Sequence, residues 1–425
     1  MHIYTNPERS TWNNLTQRPS FSLVELEDRV QSIMETVQRR GDDALYDFAE
    51  RFDNARLDSI IVSDREIEAA EHQLSKDLKA ALHLAIGNVR RFHEGQMSSA
   101  PANIVETQAG VKCWRRSVPI ERVGFYIPGG TAPLFSTVIM LGVPSAIAGC
   151  RERIMCTPPN SEGNVHPAIL YTARLVGVQT MYKIGGAQAI AAMTFGTGSI
   201  QKVDKIFGPG NQYVTLAKQI AQRHGVAIDM PAGPSEVAVL ADETCVPAFV
   251  AADLLSQAEH GKDSQVMLIT TSTQVVERVL AEIDRQCALL PREAIATEAL
   301  QNSRAVVFEK IETALEFANE YAAEHLIIAC AEAERLAEQV RNAGSVFLGN
   351  YSPEAAGDYA SGTNHVLPTN GFARAYSGVS VDSFVKKITF QHLTKEGINA
   401  IGAAVECLAE AEGLVAHKNA IAVRR

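Results

Sequence analysis

The sequence predicts an α/β fold: two doubly wound domains on parallel sheets, a helical N-terminal region and a small C-terminal helical tail. Three observations carry this expectation. A chain of 425 residues is too long for one hydrophobic core to organise, so at least two domains are needed. A unit of β-rich run, glycine turn and helix recurs in two separate sets. The segments outside those sets carry apolar residues at helical rather than alternating spacing. A content of 46% hydrophobic and 21% charged residues is an ordinary globular mix and excludes a disordered or fibrous chain.

The N-terminal region, taken as 1–105, reads as helical. Ser63 and Glu66 form a capping box, after which Ile67, Leu74, Leu78, Leu82, Ile86 and Val89 make one core-facing stripe. Ser98 to Asn103 reads as a linker or loop. The first strand–turn–helix set fills 106–234. Arg122 to Ile127 leads into Pro128, Gly129 and Gly130 and a helix carrying Val138 to Leu141. Arg153 to Thr157 is a second strand, and Met181 to Ile184 a third that enters Gly185 and Gly186. The second set fills 235–370, with strands at Val237–Leu240, Val266–Thr270, Ala305–Phe308, Leu326–Ile328 and Ser345–Leu348. Each set describes an incomplete Rossmann-like domain. After Pro368 a short connector leads to the tail, 371–425, where Ile398, Ile401, Val405 and Leu408 mark one helical face. That tail has too little apolar surface to fold alone, so it must dock on its own body or on a partner subunit.

Composition narrows the function classes. Asp and Glu number 49 against 39 Lys and Arg, a net charge of −10, which opposes phosphate neutralisation and argues against a nucleic-acid partner. The N-terminus lacks a basic stretch followed by an apolar run, so no secretory signal is expected. The longest apolar-leaning stretch, Leu134 to Ala148, is interrupted by Gly142 and Pro144 and is too short to span a bilayer. Seven cysteines without a CxxC pair exclude a disulfide framework or a thiolate zinc finger, and a cytoplasmic location follows as the simple expectation.

Four segments are richer in reactive groups than packing requires. Gln257 and His260 are three apart, share a face if helical, and precede Gly261 as a helix stop. Glu324 and His325 pair a carboxylate and an imidazole at a strand start. Asp358 and His365 lie among glycines in what reads as a shaped loop, and Glu412 and His417 lie in the tail. Each also admits an ordinary reading, such as a capping His, an exposed strand start or a solvated helix end. Together Gln257, His260, Asp358 and His417 offer N and O ligands without thiolate, which suits zinc or manganese with positions left open for substrate. A G-x-G-x-x-G dinucleotide fingerprint is absent; Gly208, Gly210 and Asn211 are the nearest approach.

At these residues the chain resembles the histidinol dehydrogenase family. The likeness rests on FGPGNQYVTLAK (207–218), IDMPAGPSEV (228–237), DLLSQAEHG (253–261), EHLII (324–328), the long run 344–369 and EGLVAHKNA (412–420). It covers the chain from about residue 120, with the earlier part similar in helical character only. The resemblance implies an enzyme that oxidises L-histidinol to L-histidine through L-histidinaldehyde, with one Zn2+ per subunit and two NAD per turnover. It implies Gln257, His260, Asp358 and His417 as zinc ligands and Glu324 and His325 as the catalytic acid–base pair. Ser235, His365 and Glu412 would hold substrate together with Gln257, His260, His325, Asp358 and His417. Tyr126, Gln188 and Asn211 would bind the cofactor. It further implies a homodimer whose tail crosses into the partner's site. Ala323 stands where the family usually carries Pro, which removes a φ restraint but deletes no reactive group.

Two rival readings remain at this level. A relative acting on another small polar alcohol, such as a sulfonated diol, would keep the zinc set and change the substrate contacts. A zinc hydrolase would also suit a metal, a Glu and a His. An aldehyde dehydrogenase working through a thioester is disfavoured, because none of the cysteines sits in a glycine-rich or charged motif that would activate it.

Overall fold

A computed structural model describes residues 1–19, 23–97, 103–129, 133–231 and 233–425. The linker expected at Ser98–Asn103 lies, Asn103 apart, outside the described residues, as does Gly130. The strands β1 (His2–Thr5), β2 (Val105–Gln108) and β3 (Val111–Pro119) precede a first parallel sheet of β4 (Arg122–Tyr126), β5 (Glu152–Cys156), β6 (Thr180–Tyr182), β7 (Lys205–Phe207) and β8 (Ala227–Ile228). A second parallel sheet follows with β9 (Glu236–Ala241), β10 (Gln265–Thr270), β11 (Arg304–Val307), β12 (His325–Ala329) and β13 (Ser345–Leu348), and β14 (Val385–Leu393) lies in the tail.

The two parallel sheets share one plan. The first is ordered β6-β5-β4-β7-β8 and the second β1-β11-β10-β9-β12-β13. In both, the earliest strand of the set (β4, β9) is central, the chain winds outward on one side, then returns to the other. Strand order therefore reverses between β4 and β7 and between β9 and β12, as the doubly wound expectation requires. Val237 and Val239 face one set of helices, Ala238 and Leu240 the other, and all four are fully buried. Burial on both faces is why these strands read as continuous apolar runs rather than alternating ones.

Helices cover both faces of each sheet. The first sheet carries Asp64–Gln73, Lys76–Glu94, Phe135–Ala148 and Pro167–Leu175 on one side. On the other side lie Leu23–Arg40, Asp42–Asp53, Gly186–Phe195 and Gln212–Arg223. Leu26, Val30, Met34 and Val37 form the inward stripe of the first of these, each removal of such a side chain from water contributing about 1.5–3 kcal/mol. The N-terminal helices thus complete the first domain. Trp12 and Leu15, by contrast, pack with Phe308 and Phe317 beneath the second sheet.

Three expectations need correction. The N-terminal region is not wholly helical, because β1 pairs in parallel with β11 from His2 against Arg304 to Thr5 against Val307. The stripe from Ile67 to Val89 belongs to two helices. Leu74 is extended and Ser75 starts the second helix by accepting from the Leu78 N–H, while the Ser63–Glu66 capping box starts the first as expected. The tail begins with a strand: β14 runs antiparallel to β3 along all nine of its residues, and β2 adds the third strand. Trp114 stacks on Phe390 across that pair. Most of β14 is exposed, so the burial pattern that marks a strand in a sequence is faint. Beyond it, helix Lys395–Ala411 packs on helix Val415–Ala422, and the latter buries no residue in this chain. The apolar helix Phe135–Ala148 is internal, and among the described residues no helix is long and apolar enough to cross a membrane.

Two measurements check this account. Gly208 has φ +124°, and a Cβ there would fall on the Tyr126 carbonyl oxygen, a backbone atom. Gly208→Ala should therefore cost at least about 2 kcal/mol in urea unfolding, whereas a cost under about 0.5 kcal/mol would show that this loop accommodates the clash. Asp53 ends the helix Asp42–Asp53 with Oδ2 buried and without a hydrogen-bond partner. Burial pushes its carboxyl up to about 6. Below pH 4 both folded and unfolded chains hold that proton. As pH rises to 6 the unfolded chain ionises first, which opposes folding, and above 6 the penalty is constant. The Tm of Asp53→Asn relative to the parent should rise between pH 4 and pH 6.5 and stay level above; a pH-independent difference would refute the buried-carboxyl reading.

Candidate active site

A cavity of about 560 Å³ lies between the two domains. One wall is the loop Gly208–Asn211, which leaves the carboxyl end of β7; the other holds Ser235, His260, Glu324 and His365. Ser235 directly precedes β9 and Glu324 directly precedes β12. The first sheet therefore presents its carboxyl edge, the usual ligand side of an open α/β sheet, while the second presents its amino edge.

Pairing of β9 with β12 brings the two strand starts together. The Glu236 N–H donates to Glu324 Oε2 at 3.0 Å, and the Glu324 N–H donates to Glu236 Oε1 at 3.2 Å. Glu236 in turn accepts two hydrogen bonds from Arg18, at 2.8 and 2.9 Å, in a nearly buried ion pair, and the guanidinium stacks 3.9 Å over the Tyr321 ring. The loop before Glu324 turns through Ala322 at φ +53° and is tied to β13 by the Gly344 N–H on the Ala323 carbonyl at 2.9 Å. Burial pushes the Glu324 carboxyl up to about 8; His325 and the Glu236 N–H oppose the rise, and the charges of Glu236 and Glu354 add to it. A carboxyl that exchanges its proton near neutrality is suited to general acid–base work.

His325, 3% exposed, has Nδ1 3.8 Å from Glu324 Oε2 and Nε2 3.4 Å from Asp358 Oδ1. Neither nitrogen finds a hydrogen-bond partner. Burial alone would lower its pKa, but Glu354, Glu324 and Asp358 outweigh burial and raise it. Burial also works against the Asp358 charge, yet His325, His365 and His260 hold that carboxyl below its ordinary range. His365 Nδ1–H donates to the Asp358 carbonyl at 2.8 Å, and its Nε2 pairs with Thr137 Oγ1 at 3.2 Å.

Ligand atoms of His325, Glu354 and Asp358 lie within 4.8 Å of one another. Gln257, buried on the last turn of helix Pro247–Ala258, joins them: with its amide turned to satisfy both ends, its N–H donates to Glu354 Oε1 at 2.7 Å and its oxygen accepts from the Glu236 N–H at 2.9 Å. His260 is not on that helix as its spacing suggests. The helix stops at Ala258, and His260 stands in the following turn at the cavity mouth, its backbone N–H on the Gln257 carbonyl at 3.3 Å. Its side chain is exposed at that mouth, and the desolvation it still feels from the cavity walls lowers its pKa against the pull of Asp358. Asp358 is helical too, in Glu354–Tyr359, rather than in a loop. Orphaned imidazole nitrogens and a carboxylate oxygen, converging with an amide and a second imidazole nearby, fit a divalent cation of the zinc type.

A single chain does not bring every candidate together. Glu412 and His417 are exposed, on the C-cap of helix Lys395–Ala411 and on helix Val415–Ala422, and neither lines the cavity. Glu354, Glu236 and Arg18 were not singled out in the sequence. The i, i+4 spacing of Glu354 and Asp358 was the available signal for the first, hidden by the loop reading; Arg18 and Glu236 are 218 residues apart and carry none.

A second cavity, about 1070 Å³, opens at the carboxyl edge of the first sheet, beneath the N-terminal helices. Tyr126, Gln188 and Asn211 all line it, with Arg29, Arg40 and Arg51. The Tyr126 hydroxyl accepts from the Gly186 N–H at 3.1 Å at the start of helix Gly186–Phe195, and Gln188 is buried on its first turn. Asn211 caps helix Gln212–Arg223 by accepting from Tyr213 and Val214. Two helix N-termini and nearby guanidinium groups suit the phosphates of a dinucleotide without the usual fingerprint. Asn211 lines both cavities.

The sequence model of the histidinol dehydrogenase family matches residues 16–425. The chain is 55% identical over 424 residues to the histidinol dehydrogenase of Bacteroides fragilis (strain YCH46), covering 100% of this chain and 99% of that one. The crystal structure of histidinol dehydrogenase from Elizabethkingia anophelis matches with a TM-score of 0.97 at 56% identity, covering 100% and 98% of the two chains. The likeness therefore includes the first hundred residues, where only helical character had been expected. An acetylating aldehyde dehydrogenase from Geobacillus thermoglucosidasius, at 14% identity and TM-score 0.51 over 91% of this chain and 94% of that one, shares the fold alone. The chain belongs to the histidinol dehydrogenase family and is an oxidoreductase.

Proposed function

We propose that this enzyme oxidises L-histidinol to L-histidine through L-histidinaldehyde, using two NAD per turnover and one zinc ion per subunit. The observation that carries the reading is that Asn211 lines two cavities, one with Tyr126 and Gln188, the other with Glu324 beside the cation cluster. Gln257, His260 and Asp358 would hold the ion, with His417 supplied by the tail of a second copy. When bound, zinc supplies a positive charge that fixes the substrate's amine and imidazole, and NAD supplies the hydride acceptor.

The remaining work falls to side chains of the protein. A primary alcohol is too weak an acid to ionise near pH 7, so its hydride leaves only as the hydroxyl proton is taken. His325 takes it, with Glu324 and Asp358 beside the imidazolium that forms. The aldehyde then needs water. Glu324 accepts a proton from that water as it adds while the His325 imidazolium gives its proton to the carbonyl oxygen, giving the hydrate, and the neutral His325 then receives the hydroxyl proton of the second oxidation. Each oxidation releases one proton and one hydride, and the added water supplies the second carboxylate oxygen. Ser235, His365 and Glu412 hold the polar ends of the substrate, and the enclosed cavity retains the aldehyde between steps.

Shared sites in a homodimer fit the tail. Glu412 and His417 sit beside Leu408, Leu414, Val415 and Val423, all exposed in one chain. A surface of that kind is covered when it docks on another subunit.

NADH absorbance provides the assays. Histidinol should drive NADH formation that chelation abolishes and zinc restores. His325→Asn should slow both oxidations by about 10²–10⁴-fold. Glu324→Gln should mainly slow oxidation of added aldehyde, and equal loss in both half-reactions would discard the division of labour. Mixing inactive His325→Asn and His417→Ala chains should regain about a quarter of parental activity if tails are exchanged in a C2 dimer, since one site per mixed dimer is intact. No regain after subunit exchange would exclude a shared site.

A further inference from the structure

The helix Glu354–Tyr359 carries two carboxylates one turn apart, and the mechanism above employs only Asp358. Glu354 is the more deeply buried, at 1% exposure. Its Oε1 stands 2.7 Å from the Gln257 amide, while its Oε2 is buried without any hydrogen-bond partner beside His325 and Asp358. Burying a carboxyl with half its acceptor capacity unused opposes folding. An apolar side chain of similar length would fill the space without that penalty, and such replacements are often neutral or stabilising. Packing therefore does not account for a carboxyl here.

The Gln257 amide shows what it does. With the amide oxygen toward Glu354, two acceptors face each other and the NH2 group faces the Glu236 N–H, its one partner being Glu324 Oε2 at a long 3.3 Å. Turned over, the N–H donates to Glu354 and the oxygen accepts from Glu236. An amide binds cations through oxygen, because its nitrogen lone pair is delocalised. The orientation of this one side chain decides whether the site has a ligand or a blocking N–H there.

We propose that Glu354 is a positioning residue of the cation site, holding the Gln257 N–H so that only the amide oxygen is offered to a divalent cation. The inference rests on the zinc reading of this site. Conversely, nothing in it depends on which alcohol is oxidised.

The test uses the full-length enzyme and zinc alone. Zinc affinity is read by competition against a chelator for the parent, Glu354→Leu and Glu354→Gln, together with the Tm of each metal-free form. Glu354→Leu should bind zinc about 10- to 100-fold more weakly, the range for loss of an outer partner to a ligand, with a metal-free Tm no lower than the parent's. Glu354→Gln, whose side-chain oxygen still accepts the N–H, should stay within about tenfold of the parent. The proposal is overturned if Glu354→Leu keeps parental affinity, or if Glu354→Gln loses as much as Glu354→Leu, since charge rather than positioning would then be at work. A metal-free Glu354→Leu that unfolds or melts well below the parent also overturns it, because the carboxyl would then serve the fold. Failure of the parent to bind zinc would instead remove the reading beneath it, a result distinct from parental binding with unchanged variants.

Discussion

Everything at the site follows from crowding several carboxyl groups into a space that water barely reaches, where β9 and β12 begin. Glu236, Glu324 and Glu354 are each no more than 7% exposed, and Asp358 lies beside them. Isolated buried charges of one sign cannot all persist. The protein resolves this differently at each position. Glu236 stays paired with Arg18, Glu324 is pushed toward its protonated form, and Asp358 keeps its charge against the imidazoles. His325 then carries a raised pKa because it is the nearest counter-charge. On the zinc reading proposed above, a divalent cation would replace protons as the counter-charge, so its binding would release protons and leave His325 able to accept one. The same crowding of carboxyl groups would favour a cation there.

The arrangement of the two sheets accounts for how one chain could perform both roles proposed above without a conventional fingerprint. Sheet carboxyl ends with helix N-termini favour anions, and the first sheet presents that edge around Tyr126, Gln188 and Asn211. Sheet amino ends lie near helix C-termini, whose free carbonyls carry partial negative charge and favour cations. Gln257 and His260 come from just such a helix end. Opposing the carboxyl edge of one sheet to the amino edge of the other therefore sets an anion-friendly wall against a cation-friendly one. The fold likeness to an acetylating aldehyde dehydrogenase carries none of this chemistry, which resides in the side chains.

How much of this could be read in advance depended on whether the signal was local. Strands buried on both faces, such as Val237–Leu240 and Val266–Thr270, announced themselves, and so did the capping box at Ser63. Glu324 and His325 were legible because both reactive groups directly precede an apolar run. Gln257 and His260 were legible as a pair, though the helix ends between them, since spacing fixes composition of a face better than it fixes a terminus. Leu74 fitted the helical stripe by spacing, and only the break at Ser75 assigns it to a connection. The strand β14 was hidden because its partner β3 lies some 270 residues earlier and both are largely exposed. Arg18, Glu236 and Glu354 owe their roles to tertiary neighbours alone.

Distribution of the unmet hydrogen-bonding capacity gives the last link between fold and function. Among the described residues, both nitrogens of His325 and one oxygen of Glu354 are buried without partners in one cluster, and one oxygen of Asp53 is likewise orphaned at the second cavity. Such atoms cost on the order of 1–3 kcal/mol each where nothing compensates. Other orphaned atoms stand singly, as at Arg122 and Arg153 on β4 and β5 and at Thr172, whereas three converge at His325 and Glu354. A ligand that satisfies these atoms binds the folded chain and not the unfolded one, so it adds to the stability of the fold. On the function proposed above, cation and dinucleotide would act in this sense as structural partners as well as reagents. On the shared-site reading proposed above, the exposed apolar residues of the tail extend the argument to a second subunit, whose docking would cover Leu414 and Val415 while bringing His417 to the cluster.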